Sequence, residues 1–339
     1  MTVRRVAVAL ATFTLATALW LPCVQLVFRP PPRQALAASL AQRQRTLALA
    51  DGTPERALLR HLNPEWDLMS RTFAVLAFTN LALAEPARRA AHLEVADALI
   101  SQTLRDEAPS HHVFLLPYGR RQPFHDAAQR SLFVDGEVAL MLAARQAVEV
   151  RPDFVAPLRL RVDEVARQLE VAPHHLAESY PDEGWTFCNT IALAALKVSD
   201  SVDGRSHAAL TARWLESARA KLVEPRSGLL RSSFRYDGSP FDGPEGSSLW
   251  LAAHMLQLID APFAADQYRR ARVELGRLWL GFGWAAEWPR ALRNVDDVDS
   301  GPTIPLVDAN AGSSGLALVG AAAFDDEPFL SGPVSYTHL

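Results

Sequence analysis

From Val6 to Phe28 the chain runs 23 residues without a charge. At 1.5 Å per residue that is about 35 Å of helix, enough to cross a hydrocarbon core with some tilt. Arg4 and Arg5 precede the run and Arg29 follows it. An uncleaved anchor and a cleaved secretory signal both begin this way. Ala16 and Ala18 form the small-x-small pair a signal peptidase reads, whereas the apolar run continues through Trp20, Leu21, Leu26 and Val27, well past a signal's usual core, and so favours the anchor. Pro22 stands where lipidation of Cys23 needs a small residue. The Arg4–Arg5 pair keeps the N-terminus cytoplasmic, which puts the rest of the chain in the periplasm or outside the cell.

Residues 1–28 are thus read as an anchor or signal and 29–50 as a proline-rich exit and linking helix. Residues 51–333 form one helical domain. In Arg29-Pro-Pro-Pro-Arg33 consecutive prolines favour a stiff, extended backbone. The tail Val334-Ser-Tyr-Thr-His-Leu339 back-translates to a transposase adapter of sequencing libraries. It is set aside from fold reasoning, and the natural chain is expected to continue beyond about Gly332. A net charge of −4 provides no basic field for nucleic acid. Outside the apolar run only Cys188 remains of the two cysteines, so no intrachain disulfide framework is available.

Apolar residues after residue 34 recur with helical spacing. Helices are expected near 35–50, 54–62, 67–84, 88–105, 131–149, 153–170, 186–199, 204–222, 247–259, 264–283 and 306–324. Glu85-Pro86 and Arg151-Pro152 supply stops. Only Val113–Leu116 and Leu229–Phe234 read as strand. Long polar loops fall at 106–130, 172–185, 226–246 and 285–305, at alternate junctions. Antiparallel helix pairs with rich loops at one end predict an all-α fold, an (α/α) toroid whose loops line a central cavity.

The densest chemical cluster is Ser179 to Thr190, a polar loop entering an apolar helix. Asp182 accepts backbone N–H groups at the turn, Gly184 supplies the turn's freedom and Thr186 caps the helix. Cys188 and Asn189 then fall in the first turn, where the helix N-terminus lowers a thiol pKa. The alternative is that Trp185 and Phe187 pack the helix end and Cys188 is inert filler. Glu137 interrupts the apolar run Leu132–Met141, and a carboxylate facing a packed interior has a raised pKa suited to donating protons. The alternative has Asp135 and Glu137 solvating the helix start. Gly136 permits a close approach by a ligand or another helix.

Tyr118, Arg120 and His125 precede that helix as candidate ligand-binding residues, and Tyr236 and Glu245 sit in later loops. The acidic run Asp296-Asp297-Val298-Asp299 lacks calcium-loop spacing, and the pairs His111-His112 and His174-His175 lack helical ligand spacing. No metal or organic cofactor is expected.

The stretch Tyr180-Pro-Asp182, five residues, then Cys188-Asn189-Thr190, followed by Ala212-Arg213-Trp214-Leu215 and Val223-Glu-Pro-Arg-Ser-Gly228, resembles the linalool dehydratase-isomerase domain family over roughly residues 60–325. The resemblance implies an exported (α/α) toroid assembled as a cyclic homo-oligomer, with active sites near subunit interfaces. It implies cofactor-free hydration and isomerisation of a small alcohol by acid–base groups. Carried over by position, the family's second active-site cysteine falls on Cys188, with Asp182 in the same loop. Its first cysteine falls on Ser179, and its histidine on Glu137.

The leading expectation is a lyase or isomerase acting on a hydroxylated, mostly apolar small molecule. Glu137, Asp182 and Cys188 are its catalytic candidates; Tyr118, Arg120, His125, Ser179, Trp185, Phe187, Asn189, Tyr236 and Glu245 are its substrate-binding candidates. Two alternatives stay open: a glycan-active hydrolase or lyase using Glu137 and Asp182 as its carboxylate pair, and a membrane-tethered ligand-binding or scaffold protein without catalysis.

Overall fold

The computed structural model describes residues 3–27, 33–50, 53–279, 282–292, 300–301, 303–304 and 306–334. Phe28 through Pro32, the acidic run at 296–299 and residues 335–339 of the tail lie outside them. The first helix, α1 (Val3–Val27), is exposed from Val3 through Ala16 and again at Leu19, Trp20 and Cys23. It is the one helix among the described residues long and apolar enough to cross a membrane.

The helices of the folded body are α2 (Arg33–Leu49), α3 (Pro54–Leu62), α4 (Pro64–Ala84), α5 (Arg89–Glu107), α6 (Leu132–Val148), α7 (Pro152–Val171), α8 (Thr186–Asp203), α9 (Ala208–Ser217), α10 (Gly246–Leu256), α11 (Ala261–Glu274), α12 (Ala311–Ala323) and α13 (Glu327–Val334). Short-range chemistry sets many of the ends. Asn63 closes α3 and opens α4, its side chain accepting from the Trp66 N–H at 3.0 Å with Pro64 at the first helical position. Ser131, Asp260 and Asn310 cap α6, α11 and α12 in the same way. Gly204 ends α8 in the left-handed conformation.

Alternate helices form the inner layer: α4 packs on α6, α6 on α8, α8 on α10 and α10 on α12. Helices α5, α7 and α11 pack outside them. The inner position explains the composition of α6, which is apolar around nearly its whole circumference and buried at almost every residue. The α6–α8 contact is the tightest. A Cβ added at Gly136 would come 3.3 Å from the Ala192 backbone, so here glycine admits a helix rather than a ligand.

Strands are few and short. β1 (Gly184–Trp185) pairs antiparallel with β2 (Ser233–Phe234), β3 (Gly276–Trp279) with β4 (Phe282–Ala285), and β5 (Thr303–Ile304) with β6 (Ala309–Asn310). Two expectations change. The helix read over 264–283 stops at Glu274, and its last third is the β3–β4 hairpin; apolar spacing over ten residues does not separate the two states when aromatic and β-prone residues dominate. Val113–Leu116 is not a strand, because His111–Phe114 is a 3-10 turn.

Candidate functional site

The inner helices direct their N-terminal halves at one cleft. Glu65, Trp66 and Met69 of α4, Phe133 of α6, Phe187 and Cys188 of α8, Ser247 and Ser248 of α10 and Leu316 of α12 all line it, with Leu116, Tyr118, Tyr180, Trp185 and Ser300 from the loops. Its empty space is about 620 Å³, counting the part open to solvent. Aromatic rings make the wall. Tyr118 stacks on Tyr180 at 4.8 Å, and Phe187 meets Trp185 and Phe133 edge-on at 5.9 and 6.5 Å.

Local structure positions this wall. The β1–β2 pairing places Trp185 against Ser233, and the Thr186 N–H donates to the Ser232 carbonyl at 2.8 Å. The Thr186 hydroxyl donates to the Arg231 carbonyl instead of capping α8, whose N-cap residue is Trp185. The left-handed residue of the turn is Asp182, at φ 58°, rather than Gly184. Gly184 is required for space, since a Cβ there would lie 2.1 Å from the Phe234 ring.

Two buried titratable groups stand out here: Cys188 lines the cleft, and Glu137 lies near enough for its charge to act on Cys188. Cys188 is 2% exposed, and the Ser179 hydroxyl lies within hydrogen-bonding reach of its thiol. Burial pushes the Cys188 pKa well above its ordinary value, and the negative charges of Glu137, Glu65 and Glu183 add to the effect. The lowered thiol pKa expected from the helix N-terminus is therefore overturned, because desolvation outweighs the terminal dipole. Glu137, one turn along α6 from Phe133, has no exposed surface. Neither of its carboxyl oxygens has a hydrogen-bond partner of ordinary geometry among the described residues. The Thr72 hydroxyl is close enough to lower its pKa slightly, yet directs its own proton to the Leu68 carbonyl at 3.4 Å. Desolvation dominates and raises the Glu137 pKa to about 7.

Other candidates from the sequence lie elsewhere. Asp182 is half-exposed outside the cleft, beside His125 at 3.5 Å, Arg235 at 3.5 Å and the Tyr236 N–H at 3.4 Å. His125 and Tyr236 stack there at 4.6 Å. Asp182 and Glu137 are thus not a facing carboxylate pair. Arg120 donates to the Val113 and Leu115 carbonyls and faces a second cavity. Asn189 is buried and structural: it holds both backbone groups of Ala177 and accepts from Trp214 Nε1 at 3.1 Å. Glu245 is buried at the start of α10, its N–H bonded to Ser232.

Glu65 and Trp66 were missed because the expected helix starts at residue 67, and Met69 because it reads as an ordinary core residue of that helix. The Asn63-Pro64 cap was the available signal. The serines of α10 carried none.

Glu107, His111 and Asp135 bring three ligand atoms within 4.8 Å of one another, yet their surroundings suit an ion network. Arg161 bridges Glu107 and Asp135, and Arg130 and Gln168 also bind Asp135. Burial acts to raise the Asp135 pKa, but the Arg130 hydrogen bond and the His111 and Arg161 charges hold it below the ordinary value. Guanidinium groups occupy the positions a cation would need.

No family model matches the chain, and no curated protein does. Among solved structures the chain is similar to a crystal structure of D-mannose isomerase, with a TM-score of 0.52 and 11% identity over 76% of this chain and 70% of that one. At that identity the likeness is one of fold alone: this chain is mostly helical, with a fold similar to that structure's.

Proposed function

We propose that the protein is a lyase or isomerase that moves protons on a hydroxylated, mostly apolar small molecule. In this reading it is a divergent relative of the linalool dehydratase-isomerase domain family. Its helix pairs belong to an (α/α) toroid that α1 holds on the outer side of a membrane. The observation that carries the reading is Glu137, a fully buried carboxyl with a pKa of about 7 whose charge is felt by Cys188, a residue of the aromatic cleft's lining. At neutral pH such a group is present in both protonation states, as a proton donor that must be reloaded requires. The Ser179–Cys188 contact supports the family reading, since the residue that takes the place of the family's first cysteine touches the one that takes the place of its second.

In the elimination, the substrate's C–O bond breaks as its oxygen receives the Cys188 proton, and Glu137 replaces that proton in the same step. Concerted transfer avoids a free thiolate, which burial and the neighbouring carboxylates disfavour. Glu65, which lines the same cleft, takes the proton from the adjacent carbon as the double bond forms. Re-addition of water across the double bond, with Glu65 returning the proton to one carbon and the hydroxyl placed on another, gives the isomeric alcohol, and addition in the original sense reverses the elimination.

A second reading, a sugar isomerase or glycan-active enzyme, is favoured by the fold shared with D-mannose isomerase and by rings suited to stacking on sugars. The exposed surface of the cleft is mostly apolar, with little polar area for the many hydroxyls of a sugar, which favours the apolar alcohol. Assay of the wild type, Glu137→Gln and Cys188→Ser against terpenoid alcohols and aldohexoses separates these. Turnover of an alcohol with each variant slowed by about 100-fold or more is expected. Turnover of sugars alone selects the second reading, and unchanged rates in both variants would remove these residues from the chemistry. Binding of these molecules without turnover would leave a ligand-binding protein.

A further inference from the structure

Beyond the Pro117–Arg120 turn from the aromatic cleft lies a second cavity of a different character. Its empty space is about 1,570 Å³, counting the part open to solvent. Five arginines line it: Arg56 and Arg60 from α3, Arg71 from α4, Arg105 from α5 and Arg120 from the turn. Only some of this charge is balanced. Arg71 spends its donors on Asp67 at 3.1 and 2.9 Å, Asp106 at 2.8 Å and Thr103 at 3.3 Å. Arg60 bonds the same two carboxylates at 2.8 and 2.5 Å. Two acids thus answer two bases.

Three guanidinium groups are left over. Among the described residues, half-buried Arg56 bonds through its side chain only to the neutral Gln102 Oε1, at 2.5 Å, and Arg120 donates only to backbone carbonyls. Arg105 makes no ion pair or hydrogen bond among the described residues. Burial, followed by the like charge of Arg71, lowers the Arg56 pKa although the charges of Asp67 and Asp106 act to raise it; both carboxylates are bonded to Arg60 and Arg71. Arg105 and Arg120 are exposed, yet the three guanidinium groups come from separate elements to line one concave space, whose walls concentrate their field.

We propose that this cavity binds a phosphate-bearing anion, held between Arg56, Arg105 and Arg120. Guanidinium forks match phosphate oxygens in pairs, and several of them around one space suit a group carrying more than one negative charge. Two sources share that chemistry. One is an anionic phospholipid headgroup, since α3 follows α1 with only α2 between them; the other is a soluble phosphate ester. The site is independent of the activity proposed for the aromatic cleft.

Calorimetric titration of the full chain in neutral detergent tests this with three probes: inorganic pyrophosphate, dihexanoyl phosphatidic acid and, as a zwitterionic control, dihexanoyl phosphatidylcholine. Binding of pyrophosphate, phosphatidic acid or both, without phosphatidylcholine, is expected, and the pattern assigns the source. The double variant Arg56→Gln, Arg105→Gln should weaken that binding by about tenfold or more. The control Arg269→Gln, on α11 and paired only with Asp266, should leave it unchanged. The single Arg105→Gln change removes a side chain without internal bonds, so it weakens binding without a folding defect. Failure of both anions to bind, or wild-type affinity in folded Arg105→Gln and double variants, would overturn the proposal.

Discussion

Replacing Glu137 by glutamine removes a titratable group from the interior while keeping its shape. Glu137 is fully buried, and its pKa stands near 7 against an ordinary 4.5. Folding therefore favours the protonated carboxyl. Its contribution is fully present below pH 4.5, fades as the pH rises through 7, and is gone above that, because the unfolded chain can ionise the group in water. The interval between 4.5 and 7, at about 1.4 kcal/mol per pH unit, corresponds to about 3 kcal/mol. Glutamine has no such dependence. Between pH 4 and pH 8 the stability of Glu137→Gln should thus gain about 3 kcal/mol relative to the wild type. With an unfolding entropy of about 2.1 cal/mol/K per residue, a body of about 300 residues loses roughly 0.6 kcal/mol per degree at its midpoint. The difference between the two Tm values should accordingly move by about 5 °C in favour of the variant. Differential scanning fluorimetry of both proteins in one detergent, from pH 4 to pH 8, reads it directly. Parallel Tm curves would refute the reasoning, as they would mean that Glu137 ionises as easily inside as outside. The same titration should appear in catalysis, with the wild-type rate falling as the pH rises above about 7.

Three further outcomes follow from the packing. Asn189→Ala leaves both backbone groups of Ala177 and the Trp214 indole N–H without their partner, which should cost more than about 2 kcal/mol in urea denaturation; a loss under about 0.5 kcal/mol would mean that these groups find other partners. Arg161→Leu removes the guanidinium shared by the buried carboxylates Glu107 and Asp135, leaving Asp135 on Arg130 and Gln168 and Glu107 on His111, and should destabilise by about 2–3 kcal/mol, most strongly at neutral pH and less in acid, because Glu107 and Asp135 are both held below their ordinary pKa values and protonation relieves them. Cys188, buried and with a raised pKa, should resist iodoacetamide in the native protein at pH 8 and react once urea is added; mass mapping of its peptide checks this, and rapid native alkylation would show an accessible thiolate.

Helical class, the membrane-length segment and most helix ends were legible because they rest on local chemistry: apolar spacing, prolines after Glu85 and Arg151, and polar caps. The same locality explains the errors. Over 264–283 spacing alone could not distinguish the end of a helix from the hairpin that follows Leu275. Starting the fourth helix at residue 67 instead of Pro64 hid the acidic end that faces the cleft.

Of the candidate site, the sequence by itself identified the groups that are anomalous for their surroundings. Glu137 in an apolar helix and Cys188 at the head of another stood out because a polar atom in an apolar run is costly wherever that run is buried. Tertiary structure alone decided which candidates meet. Asp182, six residues before Cys188, turns out to solvent toward His125 and Arg235. Glu65, more than a hundred residues away, lines the same cleft as Cys188. The direction of the Cys188 shift was likewise not local: a helix terminus is visible in the sequence and lowers a thiol pKa. Glu183 is local to Cys188, but the burial and the Glu137 and Glu65 carboxylates that raise the pKa come from chain segments that only folding assembles.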